Sequence, residues 1–327
     1  KQKTAYEIGV RLVGSEMCIR DRDRGKYENM ATELRLNLPL EQPYNLGETL
    51  YSGQAFRWST IQSLEEESIY EGIIYGRRIT LCQEKKNILV TAYPTRENPL
   101  SESELRGLIN SYLRINDDLE GFYKRTASDE YLQSSIKTYR GLHLLKQEPW
   151  ECLVAFICSA NNNIPRIRLL MDRISAACGP VINDTKGLYN SFPDAKSIAL
   201  LGESGLRDLG LGFRAKYVNH AAQIVSQQQL NLKKLIGSPY LEAYESLISI
   251  RGVGDKVANC VMLFSLDQDN SFPVDVWIRR VLREEYVPKE ETVRDVGLRE
   301  WAQKKFGMDS GYVNQYLFQK RRLETNV

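Results

Sequence analysis

The stretch SLISIRGVGDKVANCVMLFSLDQDNSFPVDVWIRRVL, from Ser246 to Leu282, decides how this chain is read. It runs as helix, tight glycine turn, helix, loop, helix. Gly252 and Gly254 flank Val253. Glycines there let the backbone turn sharply at positive φ and leave the amide N–H groups of the next helix start pointing outward. Such a nest of N–H groups is an anion site, for which DNA phosphate is an obvious guest. Alone, a Gly-x-Gly turn between helices is usually a mere connector, so its neighbours decide the matter. Lys256 falls on the first turn after the hairpin, where the helix dipole disfavours positive charge and favours the neutral, nucleophilic amine. Asp275 follows Pro273 and is well placed as a helix N-cap. Singly, each has a bland reading: a solvated or phosphate-binding lysine, and a capping aspartate. Together, 19 positions apart across one helix-hairpin-helix, they supply a nucleophile and a carboxylate.

Upstream, the signals are of another kind. From Leu34 to about Tyr93, NLGETLYSGQAFRW, SIYEGIIYGRRITLCQ and NILVTAY alternate β-branched and aromatic residues between polar or glycine-containing breaks, which predicts a small antiparallel sheet. From Ser101 the pattern turns helical, opening on the Ser-x-x-Glu capping box of SESELRGLINSYL. Further helices are expected over 128–138, 149–159, 164–177, 195–201, 203–209, 216–228, 239–249, 256–265, 274–281, 293–306 and 310–322. The fold class is therefore α+β, a sheet domain over residues 30–127 followed by helical domains over 128–327 that contain the hairpin at about 246–265. Residues 1–29 show no clean period. The string VRLVGSEMCIRDR resembles translated sequencing-adapter DNA, so this leader is expected to be non-native or disordered, with Met30 a natural start.

Composition narrows the class without naming it. At 327 residues, with 42% hydrophobic and 26% charged side chains, the chain suits neither a disordered nor a fibrous protein. Its best apolar stretch, around Leu153–Cys158, is far short of the ~20 residues that span a bilayer, so no membrane partner is expected. Lys and Arg number 44 against 42 Asp and Glu. The first 29 residues hold 7 basic and 5 acidic of these, so the rest of the chain is neutral. Any nucleic-acid surface must arise from local clustering. Six irregularly spaced cysteines, with no Cys-x-x-Cys pair and no secretory leader, point to reduced thiols inside a cell.

The GVG hairpin, the lysine two residues on and the PVD aspartate resemble the helix-hairpin-helix superfamily of DNA glycosylases. Three further motifs, in order, narrow the resemblance to the 8-oxoguanine DNA glycosylase family: SGQAFRW (52–58), FICSANNNIPRI (156–167) and LGLGFRAKYV (209–218). The likeness covers about residues 34–325. It implies a sheet domain like that of TATA-binding proteins, then a helical domain pair. It also implies base flipping, with Lys256 attacking the sugar, Asp275 stabilising the positive charge, and a Schiff base that permits β-elimination. By the same resemblance Gly53 offers its carbonyl to the N7–H that 8-oxoguanine has and guanine lacks. Cys260 and Phe318 sandwich the flipped base, and Asn161, Arg166 and Arg214 hold the orphaned cytosine. Phe213 wedges into the duplex, and Gly252, Val253 and Gly254 contact backbone phosphate. Taken alone, SGQ reads as an ordinary turn, the asparagines as a helix-ending turn, and Phe213, Cys260 and Phe318 as core.

Two positions depart from the family. Trp277 stands where many relatives have a phosphate-binding His, and Asn314 stands where a pocket Gln is usual, with Gln315 next to it. The resemblance implies duplex DNA containing 8-oxoguanine as partner, no cofactor, no metal for the chemistry, and a monomer. It implies work in the nucleoid or the nucleus, according to the kind of cell. The rivals are a related glycosylase for another oxidised base, several of which carry a four-cysteine iron–sulfur loop, and a non-catalytic DNA-binding hairpin protein. No cysteine follows Cys260, and a mere binder has no need of Asp275 or NNNIPR.

Overall fold

The computed structural model describes residues 33–63, 67–95, 98–287 and 294–324. The leader at 1–29 lies outside the described residues. Five antiparallel strands, β1 (Leu34–Pro39), β2 (Trp58–Ser63), β3 (Ser68–Ile74), β4 (Arg77–Glu84) and β5 (Asn87–Ala92), form one sheet in the order β1-β5-β4-β3-β2. The register places Leu36 opposite Val90 and Leu81 opposite Val90, so one face carries an aliphatic row. Every second side chain points the same way, which is why Leu36, Leu38, Ile79, Leu81, Ile88 and Val90 are all buried. The β3–β4 turn uses Tyr75 and Gly76, both at positive φ, as a tight hairpin demands.

One stretch read as extended is helical: Leu46–Tyr51 forms α1. Asn45 caps it, its Oδ1 accepting from the Glu48 N–H at 3.0 Å. Leu46, Thr49 and Leu50 go into the core, so the cap and one buried face override the β-like composition. The helices that follow are α2 (Glu102–Leu113), α3 (Leu119–Arg125), α4 (Glu130–Thr138), α5 (Pro149–Cys158) and α6 (Ile164–Cys178). Then come α7 (Ala195–Asp208), α8 (Ala215–Ser226), α9 (Tyr240–Ile248), α10 (Asp255–Ser265), α11 (Val276–Val281), α12 (Asp295–Phe306) and α13 (Ser310–Glu324). The capping box of α2 forms as expected, with Ser101 and Glu104 bonding reciprocally. Helix α3, capped by Asp118, and the hairpin β6 (Val181–Asp184) and β7 (Gly187–Asn190) add to the elements that the sequence pattern predicts. Both are too short to show a period. The two helices expected over 195–209 are the halves of α7, separated by a kink where Gly202 takes φ 70° and ψ 177°.

Two hydrophobic cores result. One lies between the sheet and α2, from Leu36 to Ile115 with Leu145. The other gathers the helices from α3 onward together with Phe56. The Ser52–Trp58 segment therefore leaves the sheet core and reaches the helical one. That crossing brings Gly53 to the mouth of the cleft described next.

Candidate active site

The hairpin between α9 and α10 is built as its glycines suggested, with one correction. Gly252 has φ +91°, and a Cβ there would lie 2.3 Å from Cγ of Tyr217 on α8, so only glycine fits. Gly254 is instead extended (φ −99°, ψ −176°), because it is the N-cap residue of α10, where extended backbone is the rule. No side chain caps α10, and its first N–H groups remain free of side-chain partners. Val253 is buried and pins the turn to the core. Asp255 Oδ1 accepts from Arg299 Nε and from the Tyr244 hydroxyl, each at 2.9 Å, tying the start of α10 to α12 and α9. Arg299 is 44 residues from Asp255, and no sequence spacing signalled that pairing.

Lys256 and Asp275 face one cleft of about 1230 Å³. Nζ of Lys256 donates to Ser159 Oγ at 3.0 Å and lies 5.1 Å from the centre of the Phe156 ring. Asp275 caps α11, its Oδ1 accepting from the N–H groups of Trp277 (2.9 Å) and Ile278 (2.8 Å). Burial pushes its carboxyl above the ordinary carboxylate range, against the pull of the Ile278 N–H and of Lys256. Cys260, one turn on from Lys256, is buried, and burial pushes its thiol up to about 11. It is a neutral, soft wall rather than a second nucleophile.

The wall opposite α10 comes from the sheet domain and α13. Gly53 has φ +82°, and a Cβ there would meet Ile164 Cδ1 at 3.1 Å and Phe318 Cε1 at 3.2 Å. Gln315 donates from Nε2 to the Ser52 carbonyl at 2.9 Å, while Asn314 donates from Nδ2 to the Pro273 carbonyl at 2.8 Å. The adjacent amides thus have separate attachments, one to the glycine turn and one to the loop that carries Asp275. Both line the cleft, as do Cys260, Phe318 and Trp277.

The third wall is the loop between α5 and α6. Asn161 is exposed with φ +53°, and Asn162 donates to the Cys158 carbonyl at 2.9 Å. Asn163 caps α6 by accepting from the Arg166 N–H. Arg214 is buried, donating from Nε to the Ala160 carbonyl (2.8 Å) and from Nη2 to that of Asn161 (2.7 Å). Its neighbour Phe213 is 45% exposed, so the reading of Phe213 as a core aromatic fails. Arg166 is exposed, and its contact with the Gly210 carbonyl is a long 3.4 Å. Among the described residues one group could offer three metal ligands, Glu67, Cys82 and Glu84, and it is outside the cleft lining.

Residues 35–153 match the family described as the 8-oxoguanine DNA glycosylase N-terminal domain, and residues 154–302 match the HhH-GPD superfamily of base excision DNA repair proteins. The chain is 30% identical over 263 residues to an N-glycosylase/DNA lyase of Saccharomyces cerevisiae, covering 74% of this chain and 68% of the relative. It is 29% identical over 267 residues to the N-glycosylase/DNA lyase OGG1 of Arabidopsis thaliana, covering 79% and 68%. Its fold is similar to that of the Clostridium acetobutylicum 8-oxoguanine glycosylase/lyase in complex with duplex DNA containing cytosine opposite 8-oxoG. That likeness has a TM-score of 0.78 at 27% identity and covers 91% of this chain and 100% of the other. Lys256 and Asp275 thus share one cleft in a chain that belongs to the 8-oxoguanine DNA glycosylase family of the HhH-GPD superfamily.

Proposed function

We propose that this glycosylase/AP lyase flips 8-oxoguanine out of a pair with cytosine, excises it through Lys256, and nicks the strand by β-elimination. The observation that carries this reading is that Lys256 and Asp275 meet in one cleft whose other wall is Gly53 and Phe318. The Lys256 amine attacks C1′ as the N-glycosidic bond breaks, and the bonding pair leaves with the base, which takes up a proton. Ionised Asp275 stabilises the positive charge on the sugar. The attached nitrogen then loses one proton, and its lone pair expels the ring oxygen O4′, which takes up a proton, leaving an iminium at C1′. Removal of a C2′ proton then expels the 3′ phosphate.

On this reading the flipped base lies between Cys260 and Phe318, with the Gly53 carbonyl toward its N7–H. Gln315, held on the Ser52 carbonyl beside Gly53, is better placed to meet the base than Asn314, whose amide braces the Asp275 loop. Asn161, Arg166 and Arg214 take the orphaned cytosine, and exposed Phe213 fills the gap in the stack. The free N–H groups at the start of α10 take a backbone phosphate. Trp277 offers a ring to the DNA where relatives offer a His. The enzyme acts as a monomer inside the cell, on genomic DNA.

Borohydride trapping on a duplex with 8-oxoguanine opposite cytosine tests the chemistry. Wild type forms a covalent adduct and Lys256→Gln does not, with single-turnover excision down by at least about 1000-fold. A wild type that binds this duplex without trapping or base release refutes the assignment.

A further inference from the structure

Ser159 stands just past the end of α5, in the motif FICSANNN, and the mechanism above gives it no part. Its hydroxyl donates to the Phe156 carbonyl at 2.7 Å. With that hydrogen committed, what Ser159 Oγ presents to Lys256 Nζ, 3.0 Å away, is lone-pair density. The Phe156 ring flanks the same amine, and it is itself fixed, stacked on Phe264 at 5.5 Å and set edge-on to Phe56 at 5.7 Å. The lysine stem rises from the first turn of α10, and its amine is drawn toward the end of α5. Asp275, the natural ion-pair partner in the cleft, bonds instead to its own helix start.

We infer that Ser159 is a positioning residue: its Oγ and the Phe156 ring hold the Lys256 amine at the end of α5, keep it out of an ion pair with Asp275, and leave room between them for the sugar. The inference rests on the reading of Lys256 as the nucleophile. An amine collapsed onto the carboxylate would block C1′ and neutralise the charge meant for the developing cation. A hydroxyl oxygen that accepts weakly and a ring face that attracts a cation hold the amine without consuming it. On a flexible four-carbon stem, losing the Ser159 contact misplaces the nucleophile while the binding surface stays whole.

The test compares wild type, Ser159→Ala and Ser159→Thr on the 8-oxoguanine duplex and on a duplex with a ready-made abasic site. In Ser159→Ala, single-turnover excision and trapping on the abasic site should both fall about tenfold at saturating enzyme. Duplex affinity should stay within about twofold, and Ser159→Thr, which keeps the hydroxyl, should recover most of the rate. Because the abasic duplex needs no base excision, a deficit there locates the fault at the amine. If Ser159→Ala traps and excises like wild type, the inference is wrong while the assignment of Lys256 stands. If Ser159→Ala loses rate only through weakened DNA binding, or Ser159→Thr fails as badly, Ser159 merely closes the helix. A wild type that does not trap at all sinks the reading beneath it.

Discussion

The two sides of the cleft are built by opposite means. On the lesion side, every proposed contact sits on or beside regular structure and is already tied down. Lys256 and Cys260 are on α10, Asp275 caps α11, Gln315 and Phe318 are on α13, and Gly53 is wedged between Ile164 and Phe318. On the side proposed for the opposite strand, Asn161, Arg166 in the first turn of α6 and Phe213 in the short turn before α8 are exposed, while Arg214 spends its donors on the carbonyls of Ala160 and Asn161. Chemistry that stabilises a short-lived charge gains from groups fixed in advance, since they need no reorganisation at the moment of reaction. Reading an orphaned base requires donors that can be exchanged from protein carbonyls to a nucleotide. Substitutions on the first side should therefore act on rate, and those on the second on affinity and opposite-base choice.

The hardest test of that division is Asp275→Asn. Asparagine still caps α11 through Oδ1, so the fold should stand while the charge is lost. Single-turnover excision should fall about 100- to 1000-fold with duplex affinity little changed. A large loss of affinity instead would erase the contrast between the sides. The wild-type rate should also fall on acidification, with its acid limb above the ordinary carboxylate range because burial raises the Asp275 pKa. A rate profile with no such limb would mean that the ionised form is not needed.

Gly53→Ala sharpens the same side. A Cβ at φ +82° is strained and presses on Ile164 and Phe318, so the wall that meets the base must shift. Excision should drop by about 10- to 100-fold, and preference for 8-oxoguanine over guanine should narrow. An Ala variant with unchanged discrimination would show that the Gly53 carbonyl does not read the base. Phe213→Ala probes the other side. Its ring is half exposed, so the melting temperature should hardly move while duplex affinity falls about tenfold. Unchanged affinity would remove Phe213 from the interface.

The smallest expected effect lies away from both sides. His143 is fully buried, stacked 4.2 Å from Tyr44, and burial lowers its pKa to about 4. Its folded pKa is below the unfolded value of about 6.5, so the unfolded chain binds the extra proton first. Stability should be intact above about pH 6.5 and decline as pH falls toward 4, and chemical denaturation at pH 7 and pH 5 measures it. A His143→Gln variant should flatten that slope without changing excision at neutral pH.

The sheet and helical domains were legible because period-2 and period-3.6 patterns follow from side-chain geometry, and caps such as Ser101 and Asp275 announce helix starts. Failures came where one contact outweighed a pattern: Asn45 turned 46–51 into a helix, and the strands of β6 and β7 were too short for a period to show. The glycine turn, Lys256 and Asp275 each had a bland reading alone; only their combination at that spacing stood out, and the fold brings the two side chains to one cleft.

What the sequence by itself determined is the succession of a sheet domain and a helical one, most of the longer helices and the chemical types present, since these depend on neighbours within a few positions. Only the tertiary structure decided which of Asn314 and Gln315 bonds to the glycine turn, that Phe213 is on the surface, that Ser159 stands beside Lys256 and that Arg299 stands beside Asp255. These hydrogen bonds join residues from 41 to 263 positions apart. They depend on how the helices pack against one another and against the sheet, and no local period records that.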